Sequence, residues 1–193
     1  MLHSFQPLMS TWLLSRVGIV ATDFLAARIS RCFEPNAATG TPSYTLHTSD
    51  RVCLACNSLI ETVFVHSILS LNLPVCTKFF PWNCAALFVL DDALYAIMHF
   101  ALHQSPTLYA LVHARHHRIR YPSDGYVHAS LEHPLEMLAA LTLHGCAIRL
   151  LWPFLDAFAV LSHLWLKALF ACLNHCAYDV ELLPYRSVHH RLH

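Results

Sequence analysis

An all-α integral membrane helical bundle, with a histidine-rich metal site at its cytosolic face, is the fold class this sequence predicts. Three observations predict it. Charged residues make up 12% of the 193 and apolar residues 56%, against roughly 25% and 45–50% in ordinary soluble domains. Four stretches, 53–75, 79–102, 134–152 and 153–174, are apolar enough to read as membrane helices. Histidine occurs sixteen times, thirteen of them between positions 99 and 193. The same composition excludes intrinsic disorder, which needs low hydrophobicity and high net charge. Twelve Lys+Arg balance twelve Asp+Glu, so no nucleic-acid partner held by bulk charge is expected.

The elements follow in chain order. Met1 to Ala27 is apolar in patches but carries Arg16 and Asp23; it lacks the charged start, unbroken core and cleavage site of a signal peptide. Residues 34–51 are rich in Pro, Thr, Ser and Asn without helical period and read as a linker. The organisation expected is therefore an N-terminal region and linker over 1–52 and a membrane domain over 53–193. Each predicted span is interrupted: Glu61 and His66 in the first, Asp91 and Asp92 in the second, Glu136, His144 and Arg149 in the third, Asp156, His163 and Lys167 in the fourth. Ionisable groups in a bilayer are costly unless they face the bundle interior, so these faces should turn inward. The eight cysteines sit mostly in or beside apolar runs, and Cys53–Cys56 has no partner pair at zinc-ribbon spacing; reduced, structural thiols are expected.

Residues 134–174 number 41, about twice the ~20 of one crossing, with Pro153 near the middle where two antiparallel helices would turn. Such a hairpin brings 113–120 and 186–193 to one side of the membrane. Arg115, Arg118, Arg120, Arg186 and Arg191 on those segments make that side cytoplasmic by the positive-inside rule.

The histidines fall into three groups. His99 and His103 are spaced i, i+4, and His113, His116 and His117 repeat the idea at i, i+3 and i+4. His190 and His193 are spaced i, i+3, with His189 beside them. Such spacing lets one helix face supply two imidazole ligands. His66, His144 and His163 read as packed rings bonded to carbonyls. Carboxylates are scarce and the cysteines are not spaced with the histidines, so neither a carboxylate-rich di-iron bundle nor a thiolate zinc site fits. An all-imidazole dinuclear centre remains.

These residues resemble the fatty acid hydroxylase/sterol desaturase superfamily. Asp92-x2-Tyr95-x3-His99-x3-His103 and Pro106-x-Leu108-Tyr109-x3-His113-x2-His116-His117 are similar to its first two boxes. The resemblance runs on through Tyr126, His133-Pro134-Leu135-Glu136 and Asn174-His175-Cys176-Ala177-Tyr178-Asp179 to His189-His190-Arg191-Leu192-His193, covering roughly 85–193. It implies a multi-pass endoplasmic-reticulum enzyme with two iron ions that uses O2 to hydroxylate or desaturate a sterol or fatty-acyl chain in lipid biosynthesis. Cytochrome b5 or its reductase would donate the electrons. The resemblance implies His99, His103, His113, His116, His117, His175, His190 and His193 as metal ligands, with Asp92 and His189 supporting them from behind. His133 is expected to open a helix, with Pro134 at N1 and Glu136 at N3; His128 lies in an interfacial loop and suits either a ligand or a structural role.

The chain departs from the family pattern at two places. Phe100 stands where an arginine is usual, and the third box, His-x2-His-His in full, reads His190-x2-His193, or Arg186-x2-His189-His190 in the other register. One ligand is missing in either register, because arginine stays protonated. The expectation is a shortened C-terminus or an impaired family member. A membrane metal-binding or transport protein is the remaining alternative.

Overall fold

The computed structural model describes residues 6–35, 44–71, 73–74, 81–119, 124–182 and 185–186. Five long helices carry the fold: α1 (Gln6–Ser30), α2 (Thr48–Leu69), α3 (Pro81–Gln104), α6 (Pro134–Leu150) and α7 (Ala157–Asn174). Between α3 and α6 lie the single turn α4 (Pro106–Leu108), a π-helical turn (Tyr109–His113), a 3-10 turn (His116–Arg118) and the short α5 (Gly125–Ala129). The strands described are two antiparallel ladders of two residues: β1 (Glu34–Pro35) with β2 (Tyr178–Asp179), and β3 (Glu181–Leu182) with β4 (Tyr185–Arg186). The chain is thus mostly helical, as expected. The described cysteines are free thiols.

Among the described residues, four helices are long and apolar enough to cross a membrane: Pro7–Ser30, Thr48–Leu69, Pro81–Gln104 and Ala157–Asn174. Two expectations change here. The N-terminal region is itself one of these helices, because Arg16 and Asp23 are absorbed by partners across the bundle rather than breaking the span. The stretch at 134–152 forms a helix of 17 residues that is not among these four. Its Glu136, His144 and Arg149 interrupt the apolar run. The linker expected at 34–51 is likewise not all loop: Glu34–Pro35 pairs with Tyr178–Asp179, and Thr48 already opens α2.

α3 sits between α6 and α7, α6 also packs on α2, and α1 packs on α2 and α7. An apolar core that includes Leu87, Ile148, Val160 and Leu173 is combined with an apolar surface and buried polar groups. Met9, Leu14, Val20, Phe24, Val89, Ile97 and Phe158 point outward, while Thr22, Asp50, Asn57, Thr62, Asp91, Glu136 and His163 are buried. Large apolar side chains on the outside over polar groups turned inward suit a helical bundle in hydrocarbon.

Polar pins hold the helices in register. Asp91, midway along α3, is fully buried; one carboxylate oxygen takes His144 of α6, and the other lies 3.3 Å from both His163 Nε2 and Lys167 Nζ of α7. His144 and His163 therefore share a carboxylate, not the backbone carbonyls expected. His66 Nδ1 lies 3.2 Å from Thr11 Oγ1. Glu61 of α2 accepts from Arg16 of α1 at 2.7 Å and from the Tyr126 hydroxyl of α5. Asn57 Nδ2 donates to the Ser130 and Glu132 carbonyls at 2.9 and 3.0 Å, which fixes the loop leading into α6.

α5 is seated by Gly125, whose φ of 44° lies in the left-handed region. A side chain there would also overlap the Asp23 carboxylate, which accepts from the Tyr126 amide at 3.0 Å. The Gly125 amide in turn donates to the His175 carbonyl at 3.1 Å. This close approach ties the end of α7 to the segment that precedes α6.

Candidate metal centre

The last turns of α3 present His99 and His103 on one face, as i, i+4 spacing requires. α3 stops at Gln104; Ser105 then caps the next turn by accepting from the Leu108 amide at 3.3 Å, with Pro106 in its first turn. The chain continues through the π-turn, closed by the Ala114 amide donating to the Tyr109 carbonyl at 2.7 Å. A π-turn inserts an extra residue into the helical repeat and re-aims the side chains after it. Here it turns His113 and His117 back onto α3. Arg115 and Arg118 lie on the other side of this segment and reach Asp50 at 2.8 and 3.1 Å. Asp50 is fully buried in the first turn of α2, where it also accepts from the His47 amide at 3.0 Å.

His99, His103, His113 and His117 form one group whose ligand atoms all lie within 4.8 Å of one another. His113, fully buried, is the hub: its Nε2 stands 3.1 Å from His103 Nε2 and 2.9 Å from His117 Nε2. Two nitrogens bound ~2.1 Å from one cation lie roughly 3.0–3.4 Å apart for angles between 90° and tetrahedral. These separations suit donors to a shared ion, and the four imidazoles fit a transition metal. Burial lowers the pKa of His113, keeping its ring neutral as a ligand must be. The rings stand steeply to one another, with interplanar angles of 88° for His99–His113, 84° for His103–His113 and 82° for His113–His117. Tyr95 stacks on His99 and Tyr109 on His117.

His116 lies beside this group. Its ring stacks on His113 at 5.6 Å and meets His175 edge-on at 5.5 Å. His175 follows α7, and its Nδ1 donates to the Ala171 carbonyl at 2.9 Å. The return of the chain through α6 and α7 thus brings His175 to the first two histidine groups. His189, His190 and His193 lie outside the described residues.

The carboxylate behind the cluster is not the one expected. Asp92 is mostly exposed and 3.3 Å from Lys167; it faces away from the cluster because the inward position on that turn of α3 belongs to Asp91. Glu136, fully buried in the first turn of α6, meets a cluster ring instead: its Oε1 is 2.6 Å from His113 Nδ1. The sequence reading placed Glu136 at the helix start, and the one signal for a further role was a carboxylate at the mouth of an apolar helix in a chain with few acids. His133 does open α6, accepting from the Leu135 amide at 3.2 Å ahead of Pro134. His128 is buried in α5 and accepts through Nδ1 from the Asp124 amide at 3.1 Å, a structural placement. No protein-family model, no curated protein and no solved structure matches this chain.

Proposed function

We propose that the chain is a membrane-embedded, metal-dependent oxidoreductase of the fatty acid hydroxylase/sterol desaturase kind, acting with O2 on a sterol or fatty-acyl chain in the endoplasmic reticulum membrane. The observation that carries the reading is the meeting of His99, His103, His113 and His117 around one point at the end of α3. His116 and His175 beside them, with His190 and His193 of the C-terminal group, would hold a second iron. When bound, iron supplies the redox chemistry with O2 that attack on an unactivated C–H bond requires. The protein's own part is to hold neutral imidazoles in place, exclude water and offer an apolar surround to the lipid chain.

Charge supports a cytosolic orientation of this end. Arg28, Arg31 and Arg51 lie at the ends of α1 and α2 nearest the cluster and Arg115 and Arg118 in the turns that carry it, whereas Arg149 closes α6 at the opposite end. An arginine-rich face is the cytoplasmic one, and there cytochrome b5 or its reductase could deliver electrons. Transporters bind ions near the midplane, on broken helices; a cluster at a helix terminus favours the oxidoreductase. An impaired, single-ion family member is the second reading, favoured by the one four-histidine group among the described residues.

The test is detergent-purified full chain reconstituted with ferrous iron and an electron donor. About two irons per chain and O2-dependent lipid products are expected; one iron without product marks the impaired reading. Absence of metal binding, or lipid oxidation unchanged by chelation, would overturn the proposal.

A further inference from the structure

We infer that Glu136 is a positioning residue that fixes which nitrogen of His113 faces the centre of the histidine cluster. This deepens, and rests on, the metal-centre reading above. His113 has two ring nitrogens, and the donor role of one decides the ligand role of the other. Glu136 Oε1 stands 2.6 Å from His113 Nδ1. A proton held on Nδ1 toward this carboxylate leaves the Nε2 lone pair pointing at His103 and His117, at 3.1 and 2.9 Å. His113 is the ring on which those contacts converge, so its tautomer sets the polarity of the group.

Three features argue that Glu136 serves this contact rather than the stability of α6. Glutamate at the third helical position commonly folds back onto the helix start; here the His133 ring accepts from the Leu135 amide, and Glu136 extends to His113. Its second oxygen, Oε2, is buried with no hydrogen-bond partner among the described residues, a placement that works against folding. The Asn57 clamp on the Ser130 and Glu132 carbonyls holds the start of α6, and with it Glu136, where it meets His113. A buried acid held in this way, against an imidazole on another segment, is the arrangement that orients a metal-binding histidine.

The test compares wild type, E136Q and E136L, purified in detergent and titrated with Co2+ and Zn2+ against a competing chelator, with far-UV circular dichroism confirming helicity. E136L is expected to lose about 10–100-fold in metal affinity and to change the visible Co2+ spectrum. E136Q, whose amide oxygen still accepts from Nδ1–H, is expected to keep that spectrum and lose less than about tenfold. An E136L protein that binds with wild-type affinity and spectrum overturns the role of Glu136 while leaving the metal centre standing. A wild type that binds neither ion overturns both. A second measurement needs no variant of Glu136: nitrogen NMR of 15N-histidine-labelled, metal-free wild type, with the His113 signals assigned by their loss in H113Q. The Nδ1–H tautomer is expected, and an Nε2–H signal for His113 overturns the inference even should E136L fail to fold.

Discussion

Removing the Asp91 carboxylate offers the sharpest test of how this bundle is held. In Asp91→Ala, His144, His163 and Lys167 lose the one buried group they share. Each charge-assisted contact is worth about 1.5–3 kcal/mol, and breaking a buried ion pair by deleting one member costs about 3–5 kcal/mol. Of the three contacts only that to His144 is a hydrogen bond, so the cost of breaking the buried pair, ~3–5 kcal/mol of lost stability, is expected. Asp92→Ala is the internal control. That side chain is 64% exposed and meets Lys167 at 3.3 Å, a contact worth less than about 1 kcal/mol. The assay is unfolding of the detergent-purified protein by sodium dodecyl sulfate, followed by far-UV circular dichroism. Metal content per folded chain should be the same in both variants, because neither carboxylate touches the cluster. The reasoning fails if Asp91→Ala costs no more than Asp92→Ala. A selective loss of metal affinity in Asp92→Ala would return Asp92 to the role expected from sequence.

Acidification should destabilise the fold by a separate route. Burial lowers the pKa of His113 and of His128, so the folded state holds both rings neutral while the unfolded chain takes up protons at about pH 6.5. The unfolded state then binds more protons, stability is full above about pH 6.5, and it falls as pH drops below that value; unfolding midpoints that stay level from pH 7.5 to 5.5 would contradict this. Gly125→Ala should cost roughly 2–3 kcal/mol, combining a left-handed backbone penalty of about 1–2 kcal/mol with the loss of one buried hydrogen bond. A midpoint within error of wild type in the same unfolding assay would show that α5 can shift away from Asp23.

Local spacing made part of the site legible. His99 with His103, and His113 with His117, are pairs four residues apart, and helical periodicity alone places such pairs on one face. The capping role of His133 was equally local, since Pro at the first helical position and a polar residue before it mark a helix start. Asp91 and Asp92 could not be told apart in this way. They are neighbours on a helix that is apolar nearly all round, so no amphipathic stripe says which one turns inward. The bounds of α6 were misjudged for a related reason: hydropathy marks an apolar stretch over 134–152, and only the backbone shows that the helix ends at Leu150.

Composition and periodicity by themselves determined that this chain is a helical bundle suited to a membrane, with imidazoles paired on helix faces, because those properties depend on residues within a few turns of one another. The tertiary structure alone decided which groups meet across the bundle. His113 finds Glu136 from 23 positions away, His116 finds His175, and α1 joins the bundle through Arg16 and Asp23. Such contacts are set by helix packing and by loop paths, and by the need to satisfy each buried polar group in surroundings that supply no water. None of these constraints leaves a periodic mark in the sequence.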